Sequence, residues 1–493
     1  MTHHIAAPQE LQRIKPLFCR IGVLGVGHRT YWSQFPGLLD QLEIKLVVFE
    51  NRIQDSETDV VNFGISDCAE RAFEILTRIR QANIDLLFID MLTYATSSSV
   101  ACIFQSLQIP IVLVALQPDA AMDYAKATTQ MQLYNDDICA LPEFALVAIR
   151  MGRPVPPMII GTLENDPVAE QEIRDFVDIA KALHSLKQAR IGQMGHVLEA
   201  MLDMHTDSTM LTASFGCHIV QTEVDDILVH YRGISAKEVK TATEEILSFF
   251  DTPDPKSDPI TEKLSPQDLE EAARVYVALR KFIGEKKLDG LAYYYEAEEG
   301  STMRKMISNL IVGNSILTGQ GFPMCGEMDL KTCIAMLIMD RMSMGGSFAE
   351  FHPVDFLEGF VLVGHDGPHH IKIAQGKPVL RSLKKYHGKP GSGASVEFQL
   401  KAGPITMLSI GQKANGAYKF VVAEGESKAG LIPATGNTNT RGFFKPDVRT
   451  FLQRWFAEGP THHFALGLGH RAHVIKNLGD FIGIETAVID TFS

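Results

Sequence analysis

Over its first third the chain alternates short apolar runs with amphipathic stretches, and that alternation restricts the possible folds more than any other feature. The runs Arg20 to Gly25, Lys45 to Phe49, Leu86 to Ile89 and Pro110 to Ala115 read as strands, and stretches such as Cys68 to Asn83 between them carry helical spacing. Apolar strands separated by helices predict βαβ units and a parallel sheet covered on both faces. A second unit of this kind opens near Ala189: Ala189 to Gly192 reads as a strand, and Gly195 to Leu202 has helical spacing. The stretch Asp251 to Pro266, dense in Pro, Asp, Ser and Lys, reads as an exposed loop. A helix then starts near Ser265, with Pro266 in its first turn. From about Phe360 the pattern changes to short alternating strands at Phe360 to Gly364, Val396 to Leu400, Ile405 to Ile410 and Tyr418 to Ala423. Long helices thin out until Arg471 to Ile482, which predicts a mostly antiparallel β domain appended to two α/β domains.

At 493 residues the chain exceeds what one hydrophobic core organises. A net charge of -13, without a run of Lys or Arg, argues against a nucleic-acid partner. The seven cysteines are odd in number and lack CxxC spacing, which argues against a disulfide framework or a zinc ribbon and for a reducing compartment. Met1 to Gln12 has no apolar core and does not read as a secretory signal, and no stretch reaches the roughly 18 apolar residues of a membrane span. A cytoplasmic protein with no membrane partner is the expectation. Gly25-Val26-Gly27 follows the first strand but lacks the third glycine of a dinucleotide fingerprint, which weakens a nicotinamide-linked dehydrogenase reading.

Four segments place acid/base or metal-binding residue types beside glycines: Gly326 to Thr332, Gly345 to Phe351, Gly364 to His370, and Gly459 to His463. Loops at element ends are where sites are built. Two carboxylates and two imidazoles form a mixed oxygen and nitrogen set suited to a divalent ion, with the carboxylates favouring harder ones. Taken singly, each glutamate reads more readily as a solvated charge and each histidine as an ordinary surface or core group.

The order GEMDLKT, GGSFAEF, Gly364-His365 and the GxxHH element ending at His463 resembles the L-arabinose isomerase family, whose corresponding stretches run close to GEGDWKT, GGTSFMEDY, GSH and GGAHH. The resemblance extends outward to Arg190–Gly195 and to the closing strand at Ile482 to Asp490. It implies one divalent metal ion, Mn²⁺ with Co²⁺ or Mg²⁺ as alternatives, bound by Glu327, Glu350, His365 and His463. The two glutamates double as the acid/base pair, and His462 is a neighbour that meets substrate rather than a ligand. It also implies two doubly wound, flavodoxin- or Rossmann-like α/β domains, at residues 1–188 and 189–346, followed by a β-rich, barrel-like C-terminal domain at residues 347–493. The central domain would carry the first glutamate and the last domain the other ligands. Trimers or hexamers with an active site between subunits are implied as well.

Departures from the family pattern fall in the sugar pocket. The tryptophan is absent from Met328-Asp329-Leu330, Glu-Asp-Tyr becomes Glu350-Phe351-His352, and the N-terminal turn reads Val26-Gly27-His28-Arg29-Thr30-Tyr31. Further changes sit at Met91 to Tyr94 and Leu116 to Pro118. A retained metal set with a rewritten pocket points to aldose–ketose isomerisation of a different pentose, hexose or deoxyhexose. His28 and Arg29, on the first strand-to-helix turn where open sheets bind ligands, are candidate sugar contacts. Asp329 and Lys331 read either as partners orienting Glu327 or as solvated surface charges. The rival reading is a non-catalytic sugar-binding sensor with two α/β lobes.

Overall fold

The computed structural model describes residues 11–252, 261–262, 264–367, 370–383, 385–386, 389–390, 393–433 and 438–489. The N-terminal stretch up to residue 10, most of the expected loop at 253–260 and 263, His369 and Asp490 lie outside the described residues. The chain divides into two compact units, Pro16–Ser185 on the one hand, and Met1–Lys15 with Leu186–Ser493 on the other.

In the unit Pro16–Ser185 the strands are β1 (Cys19–Val26), β2 (Thr58–Ser66), β3 (Leu86–Met91), β4 (Ile111–Gln117) and β5 (Met158–Thr162). They lie parallel in the order β2-β1-β3-β4-β5. This is the doubly wound arrangement whose order reverses beside β1. Every residue of β3 is buried, as strands covered on both faces require. The strand expected at Lys45 to Phe49 is instead the middle of the helix Leu38–Ile53. Leu38, Leu42, Lys45, Leu46, Phe49 and Ile53 form its buried stripe, so the apolar run is one turn of a helix, and so short a run carries too little periodicity to be told from a strand. The strand between that helix and the helix Ala69–Ala82 is β2, at the edge of the sheet.

The second unit holds a parallel four-stranded sheet of β6 (Arg190–Met194), β7 (His218–Thr222), β9 (Gly290–Tyr293) and β10 (Met324–Cys325), in the order β10-β9-β6-β7. The two-residue strand β8 (Thr261–Glu262), inside the stretch expected to be loop, pairs elsewhere with β13 (Val379–Leu383), which also pairs with β16 (Ala394–Glu397); β14 (Lys385–Tyr386) pairs with β15 (Lys389–Pro390). Helix Pro266–Lys286 begins where its sequence predicts, with the Ser265 hydroxyl accepting the Asp268 N–H at 3.0 Å. The helix expected over Gly195 to Leu202 does not form. Gly195 is left-handed, the Leu198 N–H is donated to the Glu327 carbonyl at 3.4 Å, and the only helical turn there is a 3₁₀ turn at Leu202–Met204.

The remaining strands are β11 (Gly345–Asp355), β12 (Phe360–His365), β17 (Gly403–Gln412), β18 (Tyr418–Lys428), β19 (Thr438–Phe443), β20 (Phe464–Leu468) and β21 (Glu485–Ile489). Their order, β17-β20-β11-β12-β19-β18-β21, closes into a barrel because β18 also pairs along β17. Val363, Ile405, Met407, Val421, Phe464 and Trp455 belong to its core. Trp455 and Phe451 come from the helix Val448–Ala457, which sequence patterning did not single out. The expected strand Val396 to Leu400 is displaced toward the N-terminus, as β16.

One polar group in the first unit departs from the usual rule that buried polar atoms are paired. Both carboxylate oxygens of Asp90, in β3, are buried without a hydrogen-bond partner. Burial raises this carboxyl to about 8, opposed by the Lys45 charge and reinforced by that of Asp137. Lys45 Nζ contacts the two Asp137 oxygens at 2.5 and 2.6 Å and donates to the Leu92 carbonyl at 3.1 Å. Burial likewise raises Asp137, to about 6. A carboxyl that binds its proton more tightly folded than unfolded contributes stability that is lost as pH rises toward the folded value. Stability should therefore fall between pH 6 and 8 with a slope of up to about 1.4 kcal/mol per pH unit. Asp90→Asn should flatten that window; chemical denaturation at several pH values checks this, and an unchanged slope would refute it.

Candidate metal centre

Glu327, Glu350, His365 and His463, far apart along the chain, are brought together in the second unit. One oxygen or nitrogen atom each from Glu327, His365 and His463 lie within 4.8 Å of one another, and the same holds for Glu350, His462 and His463. His463 is common to both groups.

The barrel supplies three of these side chains from adjacent strands. Glu350 lies in β11 opposite Gly364 of β12, and His365 is the last residue of β12. On the other edge of β11, Ala349 pairs with Phe464 of β20, which places His463 just before that strand beside Glu350. Gly364 leaves no room for a side chain, since a Cβ there would lie 1.9 Å from the Thr438 carbonyl oxygen. The Phe348 ring packs against both ligand-type imidazoles, at 4.4 Å from His365 and 4.3 Å from His463 between centroids.

Glu327 comes from the turn after β10. Both Glu327 and Met328 hold left-handed backbone, with φ of 58° and 57°. Two successive non-glycine residues in that region store strain, a feature that clusters at functional sites. The turn is fixed from both sides, by the Met328 N–H on the Tyr293 carbonyl at 2.9 Å and the Asp329 N–H on the Gly326 carbonyl at 3.2 Å. Asp329 then caps the helix Leu330–Arg341, accepting from the Thr332 N–H at 3.0 Å and the Thr332 hydroxyl at 2.8 Å.

Asp329 and Lys331 are wholly buried, which excludes the solvated-charge reading. Asp329 orients His463 rather than Glu327: its Oδ2 lies 3.1 Å from His463 Nδ1. Burial pushes the Asp329 carboxyl up, but the His463 bond, the His463 and Lys331 charges and the Thr332 N–H outweigh it and leave it below the ordinary range. An ionised carboxylate only accepts, so Nδ1 of His463 donates to Asp329 and its Nε2 is turned toward Glu327 Oε2. His365 has the same arrangement, with Nδ1 2.8 Å from the Asp366 carbonyl oxygen. Burial lowers His365 to about 4, which keeps its ring neutral at physiological pH.

The donor atoms fit a bound cation. Glu327 Oε2 and His463 Nε2 are both buried without a hydrogen-bond partner, although only 3.4 Å apart. Bare imidazole nitrogens beside carboxylate oxygens are the ligand types of a divalent site. Burial raises the Glu327 carboxyl above its ordinary range, with His463 opposing and Glu350 reinforcing the shift. At Glu350 burial acts in the same direction but is overcome by the bond from His462 and by the charges of His365, His352 and His463, which hold it at about 2.

His462 Nε2 lies 2.6 Å from Glu350 Oε2. His28 and Arg29 sit in the other compact unit, on the β1 turn. There the His28 ring packs edge-on against Tyr31 at 5.1 Å and Tyr94 at 6.1 Å, and Arg29 pairs with Asp67 at 3.6 Å. Two neighbours of Glu350 and His462 went unremarked in the sequence as site residues. His352 Nε2 is 3.8 Å from Glu350 Oε1 and has no hydrogen-bond partner. Asp203 Oδ2 accepts the His462 N–H at 2.7 Å. His352 follows Glu350 by two residues, a signal that was open to reading; an isolated aspartate at 203 gives none.

The architecture and the cluster define a class of protein, two doubly wound α/β sheets and a closed β barrel with carboxylates and imidazoles converging beside adjacent barrel strands. Residues 168–345 match the family model described as the L-arabinose isomerase central domain. An L-arabinose isomerase of Nocardioides sp. is 23% identical over 398 residues, covering 78% of this chain and 76% of that one. One from Escherichia coli O157:H7 is 23% identical, covering 77% of this chain and 76% of that one, and L-arabinose isomerase 1 of Bacillus licheniformis is 21% identical with 71% and 69% covered. The chain is thus similar to L-arabinose isomerases at low identity over about three quarters of its length, and to the central domain of that family at residues 168–345.

Loss of the Asp329 carboxylate frees the His463 ring. Asp329→Asn should keep the fold, read by circular dichroism, while weakening Mn²⁺ binding about 10- to 100-fold by calorimetry. Unchanged Mn²⁺ affinity would show that Asp329 serves only as a helix cap.

Proposed function

We propose that the chain is a metal-dependent aldose–ketose isomerase, an intramolecular oxidoreductase acting on a pentose, hexose or deoxyhexose. The observation that carries this reading is the pair of orphaned buried atoms, Glu327 Oε2 and His463 Nε2, facing each other beside His365 and Glu350. The isomerase relatives support it. Glu327, Glu350, His365 and His463 would hold one divalent ion, Mn²⁺ or else Co²⁺ or Mg²⁺. When bound, that ion supplies Lewis acidity and a template for two neighbouring sugar oxygens.

The protein's own groups then have to move protons. Interconversion of aldose and ketose shifts hydrogen between C1 and C2, so one carboxylate removes the C2 proton and another group carries protons between the sugar oxygens. Glu327 and Glu350 take these roles. Their environments differ, as an acid/base pair needs: Glu327 has a buried oxygen without a hydrogen-bond partner, and Glu350 is bonded to His462. His462, half exposed, is placed to meet a sugar hydroxyl from the solvent side. Phe348 packs on the rings of His365 and His463 and helps to fix them.

The three-domain partition at 188/189 and 346/347, a cytoplasmic location, and assembly into trimers or hexamers belong to the same reading. So does a sugar pocket completed by His28 and Arg29 of a neighbouring copy. No helix among the described residues is long and apolar enough to cross a membrane.

A screen of pentoses, hexoses and deoxyhexoses with Mn²⁺ should yield a ketose from at least one aldose. Chelation should abolish the activity and Mn²⁺ restore it. Glu350→Gln should lower kcat by about 10²- to 10⁴-fold while leaving the thermal midpoint near that of the parent. Proton transfer through the carboxylates should also introduce solvent deuterium into the product. Failure of every sugar to react, or full activity of Glu350→Gln, would overturn the proposal.

A further inference from the structure

The segment from Leu198 to His205, whose first part falls in the expected helix Gly195 to Leu202, runs as a strap tied at three points to the elements that carry the cluster. Its Leu198 N–H is donated to the carbonyl of Glu327. Lys331, fully buried in the first turn of the helix Leu330–Arg341, donates Nζ to the Asp203 carbonyl at 2.7 Å and to that of His205 at 3.4 Å. Asp203 Oδ2, in turn, accepts the His462 N–H at 2.7 Å.

A buried ammonium is costly unless its donors are used, and these two are spent on the carbonyls of one turn. That use fixes where the Asp203 side chain starts. The Asp203 side chain is exposed, so its bond to His462 adds little to the fold. Its effect is local. His463 is held independently, by Asp329 through the ring and by Thr461, whose hydroxyl donates to the His463 carbonyl at 2.7 Å and whose N–H reaches Ser409 Oγ at 2.9 Å. The hydrogen bonds of His462 run to Asp203 at its backbone and to Glu350 at its ring, which also meets the His463 ring edge-on at 4.8 Å.

We propose that Asp203 is a positioning residue that, anchored by Lys331, sets His462 and through it the orientation of the Glu350 carboxylate. The inference rests on the isomerase reading for its kinetic consequence but not for its structural one. Removing the acceptor frees the His462 backbone and lets the 2.6 Å contact of its ring with Glu350 open. His365 and His463 keep their own hydrogen bonds, to Asp366 and Asp329, while Glu350 loses the one from His462.

The test compares Asp203→Ala, Asp203→Asn and Lys331→Met with the parent in crystal structures, Mn²⁺ calorimetry and steady-state kinetics. Asp203→Ala should move His462 Nε2 beyond hydrogen-bond distance of Glu350 Oε2 and lower kcat about 10- to 100-fold with little change in KM, a larger loss than that of Mn²⁺ affinity. Asp203→Asn retains an acceptor oxygen and should restore both the contact and most of kcat. Lys331→Met should reproduce the alanine phenotype if it folds, and the Asp203 pair decides the matter if it does not. An intact His462–Glu350 contact in Asp203→Ala, a parental kcat, or a loss of Mn²⁺ affinity as large as the loss of kcat would overturn the proposal. If the parent isomerises no sugar, the functional reading fails while the crystallographic comparison still decides the role of Asp203.

Discussion

The contact between Asp329 and His463 joins two parts of the fold that are otherwise built separately. The carboxylate caps the helix that follows the central parallel sheet, and the imidazole precedes a strand of the barrel. Both side chains are withdrawn from water, and a buried ionised group persists only where each of its lone pairs is satisfied. The bond therefore fixes the register between helix and barrel and the tautomer of the ring at once. The left-handed turn at Glu327 and Met328 follows from the same requirement, because Asp329 can reach both Thr332 and His463 only if the chain reverses sharply after β10.

Much of this was legible in the sequence because period and turn chemistry agreed. β1, β3 and β4, the Ser265 start of a long helix and the paired strands β17 and β18 lie where alternation and capping residues put them. The failures share one physical cause, a local pattern overridden by partners far away in sequence. Lys45 to Phe49 reads as strand in isolation, yet its lysine is buried against Asp137 on a helical face. Gly195 to Leu202 has helical spacing, but its Gly195 N–H is claimed by Thr222 and its Leu198 N–H by the Glu327 turn.

The site divided along the same line. Glu327, Glu350, His365 and His463 were marked by glycines and by family resemblance, since loops that bend sharply leave glycines in the sequence. What orients them was less visible. Asp329 and Lys331 could be named but not placed inside the protein, because burial depends on the barrel packed over them. Asp203 could not be named at all. A hydrogen bond from a side chain to a backbone amide 259 residues away leaves no pattern in either segment.

The way the barrel closes has a bearing on what the molecule leaves open to solvent. One edge of β18 serves two partners in succession, β21 over Lys419 to Ala423 and β19 over Glu426 to Lys428. The ring is sealed by a short seam, and the unpaired edge is passed to β21. That strand has five residues and begins at Glu485, which is paired with Lys413 and Lys419. A brief edge with charge at its start is a poor template for another chain, so the wide, apolar barrel sheet is guarded against edgewise aggregation by its last strand.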